Sequence, residues 1–254
     1  MSKATTVLLV GDRFERFGAL DGAITVSDLA NLLDGKATGE TIPRHISLGQ
    51  GVSESWWLYI KNRALARGLG IIFSGIELLH QRSGRRICHK SQRRNVLITD
   101  PEPVDENCYR LLLSIDDECE IMSDHVTGHH IQGMVLIEAA RQSFIATTEL
   151  FLLPKAERYY FVINKLDTSF LKFAFPVATE IYCLVKDLDL SRDDRIKAKA
   201  QISFTQGEEN ICKVDVEYTA ILENKLSGKE LQLATACLER ELDTVAIEGV
   251  SITA

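Results

Sequence analysis

The sequence predicts an α+β chain in which one long central helix is wrapped by an antiparallel sheet, with a small α/β unit in front. Three observations carry that reading. Residues 134–150 are apolar on nearly every side at helical spacing, as a helix enclosed by other layers must be. Ile196, Ala198, Ala200, Ile202 and Phe204 alternate with Lys197, Lys199, Gln201, Ser203 and Thr205, and the same period returns over 212–222 beyond a polar turn at 206–210. Period two on both sides of a short turn is the pattern of an antiparallel hairpin with one buried face. The first 80 or so residues instead alternate short apolar runs with helical patterns, which points to an α/β layer.

In chain order, 7–10 reads as a strand from its β-branched and leucine content, and Ser27 as the N-cap of a helix over 28–33. Residues 43–48 form a second strand candidate. Ser53 then caps a helix over 54–67, with Trp56, Leu58/Tyr59, Arg63 and Leu65/Ala66 near helical spacing and Gly68 as its stop. Residues 69–73 resemble a third strand. No glycine fingerprint for a nucleotide accompanies these elements, because Gly11 and Gly18 lack the spacing of a P-loop or a dinucleotide turn. Further on, 95–99 and 109–115 read as strands separated by a turn at Pro101-Glu102-Pro103, and 159–166 and 180–186 are rich in β-formers. Residues 227–243 read as an amphipathic helix with Ala234, Cys237 and Leu238 on its apolar side. The expected units are therefore 1–85, 86–224 and a terminal helix and tail, 225–254.

Composition narrows the function classes. The 254 residues are 45% hydrophobic and 26% charged, with five prolines, which excludes collagen-like and disordered chains. No apolar run approaches the roughly 20 residues of a spanning helix, and the apolar start ends at Gly11-Asp12 without a cleavage pattern, so no membrane partner and no signal peptide are expected. Six scattered cysteines with no CxxC pair read as free thiols of a reducing cytoplasm, with no zinc site. The net charge of −7 is uneven: residues 1–94 carry +6 and the rest −13. Arg82, Arg85, Arg86, Lys90, Arg93 and Arg94 mark the change, either as a solvated linker or as a landing surface for an acidic partner or phosphate. Nucleic acid fits poorly, since the chain is acidic and no aromatics interleave the cluster.

The chemistry concentrates in Asp124-His125-Val126-Thr127-Gly128-His129-His130-Ile131-Gln132-Gly133-Met134, which leads into the apolar helix, and in Glu138, Arg141 and Gln142 within it. Glu138 lies between Ile137 and Ala139, and an unpaired carboxylate there would cost several kcal/mol or stay protonated. A loop histidine beside a desolvated glutamate is a general acid/base pair, with burial expected to move the glutamate pKa toward neutrality. Gly133 permits close approach at the helix start, where the Met134 amide and its neighbours can hold an oxyanion. Plainer readings stand beside these: Glu138 as an ion-pair partner of Arg141, His129 and His130 as hydrogen-bonded loop or surface residues, Gln142 as a bond to nearby backbone, and His89-Lys90 as a strand-edge pair. Metal binding by His125 and His129 would need a helical loop, which Gly128 opposes.

The run from Asp124 to Gln142 resembles the signature of the A-factor biosynthesis family, the γ-butyrolactone synthase hotdog proteins, and His89-Lys90 followed by Asn95-Val96-Leu97 resembles the opening of that family's domain. More distantly, His125 and the stretch from Gly133 to Glu138 resemble the β-hydroxyacyl-carrier-protein dehydratases. The likeness covers about residues 88–222. It implies a hotdog fold and transfer of a β-ketoacyl group from a carrier-protein or CoA thioester to a hydroxyl of dihydroxyacetone phosphate or a similar small phosphorylated acceptor, without a cofactor. It further implies His125 as base, Glu138 as an orienting or proton-shuttling group, and Gly133 and Met134 as oxyanion donors. Arg141, Gln142 and His129 would then contact substrate, with Arg141 either paired to Glu138 or holding the phosphate. Dehydration, thioester hydrolysis or thioester binding without catalysis are the alternatives on the same fold. Gln132 stands where the family usually has proline. One copy of the unit, where the butenolide-forming members carry two, implies a homodimer.

Overall fold

The computed structural model describes residues 6–36, 41–123, 127–154 and 157–248. The first unit runs β1 (Thr6–Val10), α1 (Glu15–Gly18), β2 (Ala23–Thr25), α2 (Val26–Leu33), β3 (His45–Leu48), α3 (Glu54–Ala66), β4 (Ile72–Ser74) and α4 (Glu77–His80). Its four strands are parallel, in the order β2-β1-β3-β4. Alternation along β1 divides two cores. Leu9 packs with Ile46, Leu48, Leu29, Trp57 and Ile60 beneath α2 and α3, whereas Leu8 and Val10 face the larger unit. That is why the strands are apolar without a break.

Several local details differ from the sequence reading. Thr25, not Ser27, caps α2 by accepting the Asp28 amide, while the Ser27 hydroxyl donates to Asp12 at 2.5 Å. Ser53 caps α3 and Gly68, at φ +64°, ends it as expected. The inward face of α3, however, is Trp57, Ile60 and Ala64, and Leu58 and Leu65 lie in the open. The expected stripe is out of phase with this face because the helix carries large apolar residues on both sides. The three-residue strand β2 is too short to leave a periodic signal.

The larger unit has the hotdog arrangement. Strands β5 (Glu102–Asp105), β6 (Cys108–Leu112), β7 (Tyr159–Phe170), β8 (Glu180–Arg192), β9 (Arg195–Gln206) and β10 (Glu209–Leu222) form one antiparallel sheet in the order β5-β6-β8-β9-β10-β7. The helix α5 (Gly133–Phe151) lies in its concavity, with Val135, Leu136, Ala139, Ala140, Phe144, Ile145 and Ala146 buried. Phe144 stacks on Tyr218 at 4.6 Å, and the Tyr218 hydroxyl is bonded to Thr148 at 2.7 Å. The β9–β10 hairpin has the predicted phase, with Val214 opposite Ile202, and turns at Gly207, φ +59°.

Residues 95–99 do not form a ladder strand: 96–99 are buried, but only Ile98 and Thr99 make isolated bridges, to Leu113 and Arg82. The expected turn at 101–103 is instead the start of the edge strand β5, and the chain reverses at Glu106-Asn107, where Asn107 takes φ +56°. The terminal helix α6 (Glu223–Glu248) is exposed along 227–244, so its expected apolar side, with Cys237 and Leu238, packs on nothing among the described residues. No helix among the described residues is long and apolar enough to cross a membrane. All six cysteines are free thiols.

The two units share a core and a polar seam. Val10 and the fully buried Phe14 belong to the same cluster as Tyr218. The buried Gln50, at the carboxyl end of β3, donates to the Leu113 and Val177 carbonyls and accepts the Ile115 amide at 2.8 Å. Parallel α/β sheets take ligands at the carboxyl ends of their strands, and here that crevice is filled by Gly49, Gln50 and Gly51 pressed against the larger unit. Arg82 carries the seam further, pairing with Asp116 at 2.8 Å with 1% of its side chain exposed. The first member of the basic cluster is therefore a buried structural charge, not part of a linker.

Asp117 sits beside this pair. Burial and the neighbouring Asp116 carboxylate raise its pKa to about 6 from 3.8. An acid whose folded pKa is raised costs stability once ionised, so this contribution declines as pH rises from about 4 to about 6. The variant Asp117→Asn is expected to match the wild type near pH 4 and to melt higher at pH 7, and thermal unfolding across that range measures the divergence.

Candidate active site

The segment that precedes α5 is held tightly at the points described. Thr127 Oγ1 lies 3.0 Å from His130 Nδ1 and accepts the His129 and His130 amides at 3.4 and 3.3 Å. Ile131 then bridges Ala174, and the Gln132 side chain donates to the Ile121 carbonyl. Gln132 thus fixes the approach to the helix by its amide, where the family pattern has a proline. His125, with Asp124 and Val126, lies outside the described residues. His129 is exposed, while His130 packs on Phe173 with ring centroids 4.8 Å apart.

Gln132 makes no side-chain capping bond, and no acceptor among the described residues meets the Gly133 and Met134 amides. The start of α5 therefore presents N–H groups that meet no acceptor among the described residues, together with the positive end of the helix dipole. The Phe170 ring lies across it, so close that a Cβ on Gly133 would stand 2.7 Å from Cζ. Phe170 is 55% exposed and Met134 60%, and with Leu171, Phe173 and Phe175 they line an apolar surface around the helix start. Phe170 escaped the sequence reading because its strand was expected to end at 166.

One turn into the helix, Glu138 is saturated with donors. Lys90 reaches Oε1 at 2.6 Å, Arg141 Nε reaches Oε2 at 2.8 Å and its Nη2 reaches Oε1 at 2.9 Å, and Gln142 Nε2 donates to Oε1 at 2.9 Å. Burial pushes the Glu138 pKa up, but the bonds from Arg141 and Lys90 outweigh it and the net displacement is downward. The expectation that burial would carry this carboxyl toward neutrality is reversed, because two cations share its pocket. Arg141 accordingly takes the ion-pair alternative, with two nitrogens spent on Glu138. Gln142 is fully buried, its amide also bonding the Asn95 carbonyl and the Leu97 amide at 2.8 Å. Expected among the substrate contacts, it instead makes the backbone bonds that its plainer reading anticipated.

Lys90 is the residue that sequence reasoning undervalued. His89 and Lys90 are no strand-edge pair: they lie on a turn in which His89 takes φ +51°, bonding Glu149 at 2.8 Å and packing edge-on against Phe161. The rest of the basic cluster is also committed in part, Arg93 to Glu54 and Arg94 to Glu120. Arg85 and Arg86 line a cleft of about 430 Å³ whose charged walls mix Lys90 and Arg158 with Glu149, Glu157 and Glu223. Among the described residues no group of three or more His, Cys, Asp or Glu side chains is placed to hold a metal. Burial raises the Cys88 and Cys212 thiols to about 11 and Cys183 to about 12, so none of these is a thiolate nucleophile at neutral pH.

The A-factor biosynthesis hotdog domain matches residues 74–221, more than half of the chain. The chain belongs to the A-factor biosynthesis hotdog family. The match spans both the Lys90 turn and the start of α5, so the two halves of the Glu138 cluster fall within one family domain. Curated protein sequences give no match. Among solved structures the chain is similar to a mutant thioesterase from Pseudomonas aeruginosa, at 13% identity over 57% of this chain and 99% of that one, TM-score 0.40. It is also similar to a putative thioesterase from Shewanella oneidensis, at 13% identity over 57% and 98%, TM-score 0.41.

Two glycines give opposite expectations. In Gly133→Ala the new methyl's nearest neighbours are the far end of the exposed Phe170 side chain, which can turn aside, and alanine favours the helix by up to about 1 kcal/mol, so stability should hold while turnover falls as the methyl crowds the helix start. In Gly11→Ala the Cβ would lie 2.0 Å from the Gly51 carbonyl oxygen, which is backbone at the seam, and a loss of about 3 kcal/mol is expected in urea unfolding.

Proposed function

We propose that this hotdog protein is an enzyme acting on acyl thioesters, and that it transfers a β-ketoacyl group from a carrier-protein or CoA thioester to the hydroxyl of a small phosphorylated acceptor such as dihydroxyacetone phosphate. The observation that carries the reading is the glycine-started end of α5, whose first amides meet no acceptor among the described residues, set in an apolar surface, in a chain of the A-factor biosynthesis family. In the proposed step His125 takes the acceptor's hydroxyl proton, the oxygen adds to the thioester carbonyl, and the Gly133 and Met134 amides hold the resulting oxyanion. Collapse breaks the C–S bond and His125 returns the proton to the leaving thiolate. An intramolecular condensation of the ester, with loss of water, would close a butenolide phosphate.

Glu138 has a different part from a proton shuttle in this scheme. Kept ionised, it fixes Lys90 and Arg141 against α5, one turn from the Gly133 and Met134 amides. Exposed His129 and the apolar surface around Phe170 are the proposed substrate contacts. Arg85 and Arg86 are proposed to receive the acidic carrier protein at the cleft they line. We further propose a homodimer, supported by the position of the long strand β7 at one end of the sheet.

Purified protein given a β-ketoacyl thioester and dihydroxyacetone phosphate should yield a phosphorylated butenolide by mass spectrometry, and His125→Ala should lower kcat by about 100-fold or more. Product formed equally by His125→Ala would remove that residue from the mechanism. Free acid released without any acceptor would make the protein a thioesterase, and hydration of an enoyl thioester would make it a dehydratase. Retained thioester binding with no turnover would make it a binding protein. Reversing Arg85 and Arg86 to Glu should raise KM for carrier-bound substrate and leave KM for a small thioester mimic unchanged.

A further inference from the structure

The first unit grips the motif segment from both sides. Asp12 is anchored within that unit, its carboxylate accepting the Ser27 amide at 3.1 Å and the Ser27 hydroxyl. The next residue, Arg13, reaches across the seam: Nε donates to the Asp117 carbonyl at 2.6 Å and Nη1 to the Met122 carbonyl at 3.0 Å. Phe14 fills the shared core, and one helical turn on, the Phe17 amide donates to the Gly128 carbonyl at 2.9 Å. Gly128 takes φ +79° and lies against the Arg16 side chain so closely that a Cβ would come within 3.0 Å of it. Met122 and Gly128 flank residues 123–127, so two carbonyls on either side of the motif histidine are held by a five-residue stretch of the other unit.

We propose that the first unit is a positioning module for the motif segment, with Arg13 as the positioning residue. Its own ligand crevice is closed by Gln50 and the seam glycines, which leaves the docking edge as its working surface. Hydrogen bonds from a charged guanidinium to two carbonyls are stronger than neutral ones and hold direction as well as distance. A base that must meet a hydroxyl within about 3 Å gains from such support, since small misplacements away from the chemistry cost large factors in rate. The catalytic consequence rests on the reading of His125 as the base; the clamp itself does not.

The test uses the full chain and two readouts. In Arg13→Ala, hydrogen–deuterium exchange is expected to rise at least tenfold over residues 118–132 and to stay unchanged in β9 and β10, while kcat falls about tenfold or more at unaltered KM. Arg13→Lys, which keeps one bond of the pair, should recover part of both effects. Arg63→Ala, which breaks the pair with Asp34 on the outer side of the same unit, should change neither. Unchanged exchange over 118–132 in folded Arg13→Ala overturns the proposal, as does a rise spread evenly over the whole chain or a change in KM alone. If Arg13→Ala does not fold, Gly128→Ala loads the clamp from the loop side, and exchange over 12–18 must then rise, with no rise overturning it. A local rise with no thioester turned over by the wild type would support the clamp and reject the enzymatic reading instead.

Discussion

The Glu138 carboxylate governs how the hotdog unit is put together around α5. A helix wrapped by a sheet leaves little water for a charge, and an uncompensated carboxylate in that position would be strongly destabilising. Here it is compensated by Lys90, Arg141 and Gln142 together. Arg141 and Gln142 come from the helix itself, but Lys90 comes from the turn that precedes the sheet, and Gln142 continues outward to the backbone at Asn95 and Leu97. One partly buried charge and its neighbour Gln142 thereby tie Lys90, Asn95 and Leu97 to the helix. Asn95 and Leu97 need no ladder partners at those groups, because the Gln142 side chain satisfies them, and Val96 and Leu97 are buried there without forming a strand.

The same economy of backbone contact joins the two units. Gly11, Gly49 and Gly51 let main chain approach main chain so closely that a Cβ on Gly11 or Gly49 would collide with the Gly51 or Pro176 carbonyl oxygen. Gln50 then supplies the polar groups that such an approach would otherwise leave unpaired. Across this seam runs the buried pair of Arg82 and Asp116, and beside it Arg13. An α/β unit whose ligand edge is spent in this way acts through its contact with its neighbour. The hotdog unit and the unit in front of it thus share one physical problem: how to hold the segment that leads into a helix whose first amides meet no acceptor among the described residues.

The parts of this arrangement legible in the sequence were those with local periodicity or local caps. The β9–β10 hairpin, the extent of α5, the Ser53 cap and the Gly68 stop could be read because each is decided within a few residues. The candidate site was visible as a cluster, since His129, Gly133, Glu138 and Arg141 lie in one run, and the family signature pointed to the fold. What escaped was decided across long separations. Nothing near Lys90 announces that it neutralises Glu138, so burial alone suggested a carboxyl near neutrality, and the sign came out opposite. Arg13 carries no motif, and its role depends on carbonyls more than a hundred positions away. Edge strand β5 was mistaken for a turn because Pro103 is tolerated where one side of a strand is unpaired. The phase of α3 failed because apolar residues occur on both of its faces.

The claim on which the site's chemistry turns is that Glu138 stays a carboxylate and acts by fixing cations, with proton transfer left to the motif histidine. Direct titration of the Glu138 side chain in the full-length protein, by carbon NMR of side-chain carboxyls with Glu138→Gln to assign the signal, tests this most directly. A midpoint below the ordinary glutamate value of 4.5 is the predicted result. A midpoint near neutral pH would contradict the account and restore Glu138 as a proton donor.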